Sequence, residues 1–174
     1  VLVEPDLPRS LTFALLRDWE TVQDTIAYNE GLLMDALAQS LINRRLESRA
    51  RGGGDYLYAQ VEQEDVSRST DATFVSFAPL TEDWQAALAD VRAVIADATT
   101  NPPTEEELAR EIAEFDVAFV AGVEESDVEP GADLADTLIN AVDIRETVAS
   151  SQTVLDVFRG MRERVTPAAI LERT

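Results

Sequence analysis

Residues 25–64 of the chain read TIAYNEGLLMDALAQSLINRRLESRARGGGDYLYAQVEQE, and this stretch decides the fold. Its first part carries apolar side chains at helical spacing, which predicts a long helix over residues 25–51. The middle of this helix is apolar nearly all round, so we expect it to be buried across the face of a sheet. The apolar positions that set the spacing are Ile26, Leu33, Leu37 and Leu41.

The ends of the helix and the strand that follows are also marked in the sequence. Asp24 is the expected N-cap, and the glycines at 52–54 supply the positive φ that ends a helix. Residues 55–64 then predict a strand with one buried side. The expected buried side carries Leu57, Ala59 and Val61, and the opposite side carries Tyr56, Tyr58, Gln60 and Glu62.

The rest of the chain adds two strands and several helices. Residues 10–17 are apolar on both sides, which is typical of an interior strand, and residues 73–78 predict a strand that pairs back as a hairpin. Helices are expected from Thr81, from Thr104, from Ala132 and near the C-terminus, all joining one layer on the sheet. Pro5 and Pro8 indicate an extended linker, and residues 124–130 an acidic loop.

Composition restricts the class of partner. The chain has 174 residues, which suits a single domain, and its formal net charge is -20. Such a charge argues against nucleic acid or an anionic membrane as a partner. No apolar run approaches the ~20 residues that a membrane-spanning helix needs. The chain has no cysteine, which leaves its compartment open.

Catalytic and metal-binding motifs are missing from the sequence. With no His and no Cys, it offers neither an imidazole base, nor a thiol nucleophile, nor a nitrogen or sulfur ligand for zinc. The acidic tract at 105–129 lacks the spacing of a calcium loop, and the glycines at 52–54 are not a phosphate loop. We therefore predict that this chain alone has no catalytic residue and no metal site.

Three segments carry a resemblance to a known family. AQSLINRRLESRAR at 38–51, followed by glycines and a tyrosine-bearing strand, resembles a segment of the insulinase/pitrilysin family of zinc peptidases. NPPTEEEL at 101–108 is similar to the entry of that family's long third helix. RVTPAAI at 164–170 is similar to its closing helix, so the resemblance covers nearly the whole chain in the family's order.

The resemblance implies a fold and a role. The implied fold is α+β, an antiparallel-dominated sheet with a layer of helices on one face, here without its last strand. The implied role is that of a non-catalytic domain, residues 1–174, cut from a longer metallopeptidase whose zinc lies in another domain. Its partners would be the other domains and the peptide substrate, with self-association through an open sheet edge. Bacterial members of the family are often exported, which suggests the periplasm or envelope.

The resemblance also points to two residues. In some family members an Arg and a Tyr seven residues apart contact the substrate, and Arg51 and Tyr58 hold that spacing here. Ordinary structural roles remain open for both, because an arginine suits a helix C-terminus and a tyrosine suits a half-buried strand. The whole arginine cluster at 44–51 is interpreted as a set of ion pairs to the acidic surface rather than as a binding patch.

Two further interpretations of function stay open. The chain could be a scaffold or protein-interaction domain of a family member that has lost catalysis, or an acidic α+β binding module from outside the family. An upstream His-x-x-Glu-His motif in the parent sequence would favour the active peptidase.

Overall fold

The computed structural model describes residues 9–126, 128 and 130–174, and it confirms the α+β fold class. The expected linker with Pro5 and Pro8 lies outside the described residues. The strands are β1 (Leu11–Asp18), β2 (Tyr56–Val66) and β3 (Thr70–Pro79). The helices are α1 (Ile26–Arg51), α2 (Trp84–Ala98), α3 (Glu105–Ser126), α4 (Gly131–Asp143), α5 (Ser151–Met161) and α6 (Pro167–Leu171), with a 3₁₀ turn at Arg162–Arg164.

The three strands form one antiparallel sheet in the order β1-β3-β2. The predicted hairpin of β2 and β3 is confirmed, and its strands run further than expected, until Val66 pairs with Thr70. Ser67 and Arg68 make the turn with φ of 52° and 54°, the left-handed region that tight hairpin turns use.

The prediction of β1 as an interior strand is wrong. Among the described strands β1 pairs only with β3, so it forms an edge of the sheet. Phe13 is 43% exposed and Leu16, which points to the opposite face, is 67% exposed. Apolar residues at alternating positions show that both faces of a strand are apolar. They do not show whether one or two strands pair with it.

The predicted alternation along β2 fails at its start, because a β-bulge interrupts the strand. Tyr56 pairs with Pro79 and Tyr58 with Ala78, so Leu57 is an extra residue opposite no partner. Tyr56 is consequently buried and Leu57 is 62% exposed, the reverse of the expectation. Beyond the bulge, Ala59 and Val61 are buried as predicted.

The chain forms two compact units, and the first is the sheet unit. It comprises the described residues through Trp19 together with Gln39–Asn101. The second half of α1 and the whole of α2 pack on one face of the sheet, which confirms the predicted burial for this half of the long helix. The core of this unit is formed by Ile42, Leu46, Tyr56, Ala59, Val61, Phe77, Ala87, Val91 and Ala98.

The second is the helical unit, which comprises Glu20–Ala38 and Pro102–Thr174. Its centre is Phe158 of α5, whose ring centroid lies 5.0 Å from Phe119 and 6.2 Å from Phe115 on α3. Of the helices expected after Thr81, α2 belongs to the sheet unit, and α3 to α6 belong to the helical unit. The apolar faces of α3 and α5 pack against each other through these aromatic contacts.

Helix boundaries follow local hydrogen bonds. Thr25, not Asp24, caps α1, since its Oγ1 accepts from the Tyr28 N–H at 3.2 Å and the helix begins at Ile26. The predicted Thr104 cap is confirmed as a reciprocal pair with Glu107. The predicted acidic loop at 124–130 begins later than expected, because α3 continues to Ser126; residues 127 and 129 lie outside the described part of the chain.

Candidate functional site

Arg51 is the last residue of α1, and its side chain extends into solvent. The side chain is 71% exposed, and its Nη2 lies 2.6 Å from Oε1 of Glu47, one helical turn earlier and itself exposed. An exposed pair of this kind holds a side chain weakly, because water and salt screen the attraction. Arg51 is therefore not held by a buried carboxylate, and another ligand can compete for its guanidinium.

Tyr58 lies on β2 just after the bulge, opposite Ala78 of β3. Its side chain is 42% exposed and points away from the face that α1 and α2 cover, as do the exposed Gln60 and Glu62. Within the described residues its hydroxyl group has no hydrogen-bond partner, so the O–H can donate to a ligand. Both predicted site residues are thus accessible and belong to the sheet unit, although no hydrogen bond among the described residues joins them.

Asp90 of α2 fixes the turn that lies between Arg51 and Tyr58. Its Oδ1 accepts from Nη2 of Arg49 at 2.8 Å, and its Oδ2 accepts from the backbone N–H of Asp55 at 2.9 Å. The hydrogen bonds from Arg49 hold the pKa of the Asp90 carboxyl below its usual value, and the Asp55 N–H lowers it further. The end of α1, the start of β2 and α2 are thereby tied together.

Close packing leaves little room for a side chain at position 54. A Cβ placed on Gly54 would lie 3.0 Å from the Arg49 carbonyl oxygen and 3.2 Å from Oδ2 of Asp90. Gly53 has φ of 92°, which strains other residues. The two glycines thus allow the tight turn that carries the chain from Arg51 to Tyr58.

The outer edge of β2 is closed by side chains of α1. Asn43 accepts from the Val61 N–H at 2.7 Å and donates to the Val61 carbonyl at 2.9 Å, as a neighbouring strand would. Gln39 accepts from the Gln63 N–H at 3.1 Å. Covering an edge in this way prevents further strand pairing there. Nothing in the local sequence marks Asn43 or Gln39 for this role, because it depends on how the helix lies along the strand.

The interpretation of the arginine cluster as a set of ion pairs is supported by these contacts. Arg49 bonds Asp90, Arg51 bonds Glu47, and Nη1 of Arg45 lies 3.4 Å from Oδ2 of Asp97. Two of these three acids belong to α2, so Arg45 and Arg49 join the two helices of the sheet unit.

Tyr56 is a buried polar residue that the sequence analysis placed on the wrong side. Its hydroxyl donates to the Leu46 carbonyl at 2.8 Å, and burial, with the nearby Asp90 carboxylate, raises the pKa of Tyr56 to about 12. The neutral phenol thus links the start of β2 to the last part of α1.

We expect Tyr56→Phe to lower the free energy of unfolding at neutral pH by about 1 to 2 kcal/mol, since a buried hydrogen bond is lost. Because the folded pKa is raised, the stabilisation by Tyr56 is fully present below the unfolded value of about 10. It is lost as the pH rises toward 12. Urea unfolding at neutral pH and at pH near 11 measures both effects. The exposed Tyr58→Phe is the matched control and should change neither; equal losses in the two variants would contradict the assignment.

Metal and membrane sites are absent from the part of the chain that the structure describes. No three Asp or Glu side chains of the described residues come close enough together to hold a metal ion. None of the described helices combines the length and the apolar character needed to cross a membrane.

Comparisons with known proteins show where this fold recurs. No protein-family model matches the sequence, and no curated protein does either. The first half of the periplasmic protease PqqL from Escherichia coli is similar over 94% of this chain, with TM-score 0.78 and 14% identity, but the chain spans only 35% of that structure. An inactive peptidase domain from Pseudomonas fluorescens is similar over 95%, with TM-score 0.61 and 16% identity, and here the chain spans 38%.

A third solved structure holds a protein partner. It is a mutant of the ferredoxin protease FusC in complex with Arabidopsis ferredoxin, similar over 94% of this chain with TM-score 0.66 and 14% identity, of which the chain spans 18%. At these identities the likeness concerns the fold. The resemblance noted in the sequence is thus confirmed at that level: the chain has the fold of domains from insulinase-family peptidases.

Proposed function

We propose that this chain is a non-catalytic, chamber-forming and substrate-contacting domain of an insulinase-like zinc metallopeptidase. The observation that carries the proposal is the likeness of nearly the whole chain to parts of larger peptidases, one of them an inactive domain. A domain of this kind contributes a wall and polar contacts to a peptide, while catalysis takes place elsewhere in the same protein.

Zinc in such a peptidase would belong to another domain. The chain has no His and no Cys, so its own residues do not fit a catalytic zinc site, which uses three protein ligands that commonly include His. The catalytic domain is thus a partner of this one. The periplasmic location of PqqL and the ferredoxin bound to FusC support an envelope location and a peptide or protein substrate for this chain too.

The exposed apolar face of α4 favours contact with other domains. Leu134, Leu138 and Val142 recur at a spacing of four residues and are 45%, 40% and 73% exposed. A stripe of this kind on a helix usually marks a surface that another protein or domain covers. The stripe also suits the alternative function, a scaffold domain of a family member without catalysis, and the presence of His-x-x-Glu-His in the parent would decide between them.

The open edge of β1 is the second surface that a partner would cover. Asn43 and Gln39 close the β2 edge, but among the described residues nothing pairs with the outer backbone groups of β1, which also carries exposed apolar side chains on both faces. Such an edge pairs readily with another strand. Self-association through β1 therefore belongs to the proposal, opposed by the net charge of -20 on each copy.

Arg51 and Tyr58 are the proposed substrate contacts. The planar guanidinium of Arg51 would donate to a carbonyl or carboxylate of the peptide, and the Tyr58 hydroxyl would donate to a carbonyl. Each contact is worth about 1 to 3 kcal/mol when it is shielded from water. Both side chains are exposed in this chain, which leaves them available for that role.

In the parent enzyme we expect Arg51→Ala and Tyr58→Phe each to lower kcat/KM for peptide cleavage by about fivefold or more, since about 1 kcal/mol corresponds to fivefold. Glu47→Gln is the matched control, because it removes the ion pair of Arg51 but keeps the guanidinium. Steady-state kinetics and an unfolding curve for each variant are the measurements. Unchanged turnover in Arg51→Ala and Tyr58→Phe would contradict the role in substrate contact, as would equal losses in Arg51→Ala and Glu47→Gln.

A further inference from the structure

Helix α4 of the helical unit has an apolar side that is exposed to solvent. The helix has 13 residues, all of them described, and only Ala141 is buried. Leu138, Ile139 and Val142 are 40%, 65% and 73% exposed. Val142 lies four residues after Leu138 and three after Ile139, so the three side chains are neighbours on the helix surface. A surface depression of about 460 Å³ is lined by Leu138, Ile139, Asn140, Val142 and Asp143.

Local interactions give α4 little stability of its own. An isolated helix of this length is marginal in water, and most helical stability in proteins comes from the packing of an apolar face. The N-cap is Pro130, and among the described residues no side chain caps that end with a hydrogen bond. A partner that covers Leu138, Ile139 and Val142 therefore stabilises α4 as well as binding to it.

Two carboxylates border this apolar side. Asp136 and Asp143 are seven residues apart, which places them on the same side of the helix, and Ile139 lies between them. Both Asp residues are exposed, and α4 has no basic residue. Among the described residues neither carboxylate has a hydrogen bond or an ion pair. The border therefore carries negative charge that nothing in the described chain neutralises.

The charge of this border distinguishes between occupants. An anionic lipid surface repels the two carboxylates. A second copy of this chain brings its own acidic border and a net charge of -20, so charge also opposes the pairing of two α4 helices. A protein partner with Arg or Lys beside apolar side chains, in contrast, gains an apolar contact and ion pairs at the same time.

The backbone of α4 favours a helix over an extended strand as the partner. The N–H and C=O groups inside α4 are bonded within the helix, so it offers side chains but no edge with which a strand could pair. A helical partner satisfies its own backbone groups. Its side chains can also fit the grooves between residues spaced by four, such as Leu134, Leu138 and Val142.

We propose that the exposed side of α4 binds an amphipathic helix in which a stripe of Leu, Ile or Met is bordered by Arg or Lys. The apolar stripe packs on Leu138, Ile139 and Val142, and the basic side chains pair with Asp136 and Asp143. The inference rests on the proposed function, in which other domains of the same protein cover this chain. It adds the chemistry of the helix that such a domain presents.

The test is a binding titration of this chain with a fluorescent peptide, blocked at both ends, of about 18 residues, which is long enough to form a helix. Leu recurs in the peptide at every third or fourth position, and Lys follows one border of the Leu stripe. One control peptide has Glu in place of Lys, and another has the same residues in scrambled order. Each control should bind at least tenfold more weakly, and the difference between the Lys and Glu peptides should shrink as salt is added.

Charge variants of the protein locate the basic side chains of the peptide. Asp136→Asn combined with Asp143→Asn should weaken binding of the Lys peptide by about three- to tenfold, as expected for the loss of two exposed ion pairs. Glu105→Gln combined with Glu106→Gln is the matched control, because it removes two exposed carboxylates from the start of α3 and leaves α4 unchanged. The control should bind as the unchanged chain does, which separates a contact at α4 from the attraction of the whole acidic chain.

An apolar variant and hydrogen exchange locate the Leu stripe of the peptide. Ile139→Ala should weaken binding by about tenfold, since it removes side-chain area that the partner buries. Val117→Ala, on α3 and 69% exposed, is its control and should leave binding unchanged. The backbone amides of α4 should exchange at least tenfold more slowly when the Lys peptide is bound, because the helix then has a packed face. Circular dichroism checks that each variant is folded.

Equal binding of the Lys peptide and its scrambled form, or equal binding by the two charge variants, would overturn the inference. Slower exchange of α4 with vesicles of phosphatidylcholine, but not with the Lys peptide, would also overturn it and identify a lipid surface as the occupant. Slower exchange that depends only on the concentration of the chain would instead identify a second copy.

These measurements involve no cleavage, so their outcome is separate from that of the proposed function. They can fail while Arg51→Ala and Tyr58→Phe still lower turnover in the parent enzyme, which would leave the proposed function in place. If the parent has no peptidase activity and α4 still binds the Lys peptide, the scaffold alternative gains support and the inference stands.

Discussion

Phe77→Ala is expected to lower the free energy of unfolding of the sheet unit by about 3 to 5 kcal/mol, since it leaves a cavity in a close-packed core. Phe77 is fully buried and pairs with Leu11 of β1 on one side and with Ala59 of β2 on the other. Its ring also stacks on Phe13 at a centroid distance of 6.2 Å. Every strand of the sheet therefore loses contacts in this variant.

Phe13→Ala is the matched control for Phe77→Ala. Phe13 lies on the same face of the sheet, but 43% of it is exposed because β1 is an edge strand. We expect a loss of about 1 kcal/mol or less. Urea unfolding followed by tryptophan fluorescence is a suitable measurement, since Trp19 and Trp84 both belong to the sheet unit. Equal losses in the two variants would show that Phe13 is as buried as Phe77 in solution, which contradicts an edge position for β1.

Phe158→Ala should have an effect of similar size, about 3 to 5 kcal/mol, on the helical unit. Phe158 is 1% exposed and is the side chain of α5 that joins both aromatic rings of α3. Its removal leaves Phe115 and Phe119 without their partner, so the contact between α3 and α5 is expected to weaken most.

Circular dichroism in the helical region measures the loss in Phe158→Ala, because this unit contains α3 to α6. Val117→Ala is the control. Val117 lies on α3, as do the two rings that Phe158 contacts, but it is 69% exposed, so the change should lower the free energy of unfolding by less than about 0.5 kcal/mol. An unfolding midpoint in Phe158→Ala that matches that of Val117→Ala would show that the aromatic cluster does not hold the unit together.

Much of the candidate site could be predicted from the sequence. The helix end and the strand that carry its two residues are each specified by residues close together in the chain. The position of Arg51 at a helix end follows from the apolar spacing before it and the glycines after it, and the structure ends α1 at that residue. The position of Tyr58 on a strand follows from the residue types around it. Whether either side chain contacts a peptide is a property of the assembled enzyme, and it stays a prediction here.

The features that were predicted wrongly or not at all depend on strand pairing and on tertiary packing. A β-bulge inserts one residue and reverses the faces before it, so Tyr56 and Leu57 exchange sides although their residue types do not change. The Asp90 carboxylate accepts hydrogen bonds from Arg49 and from the Asp55 N–H, which lie 41 and 35 positions away in the chain. No local sequence pattern indicates contacts over such separations. The hydrogen bond from the Thr147 N–H to Asp24 likewise joins residues 123 positions apart.

The sequence by itself determined the types and order of the helices and strands, the hairpin, the cap at Thr104, and the lack of His and Cys. These depend on spacing, residue type and hydrogen bonds within a few residues. Only the tertiary structure decided that β1 is an edge, that α3 to α6 form one compact unit with the first half of α1, and which side chains close the edge of β2. The physical reason is that an apolar surface must be buried, but many partners can bury it, and the selection among them depends on the whole chain.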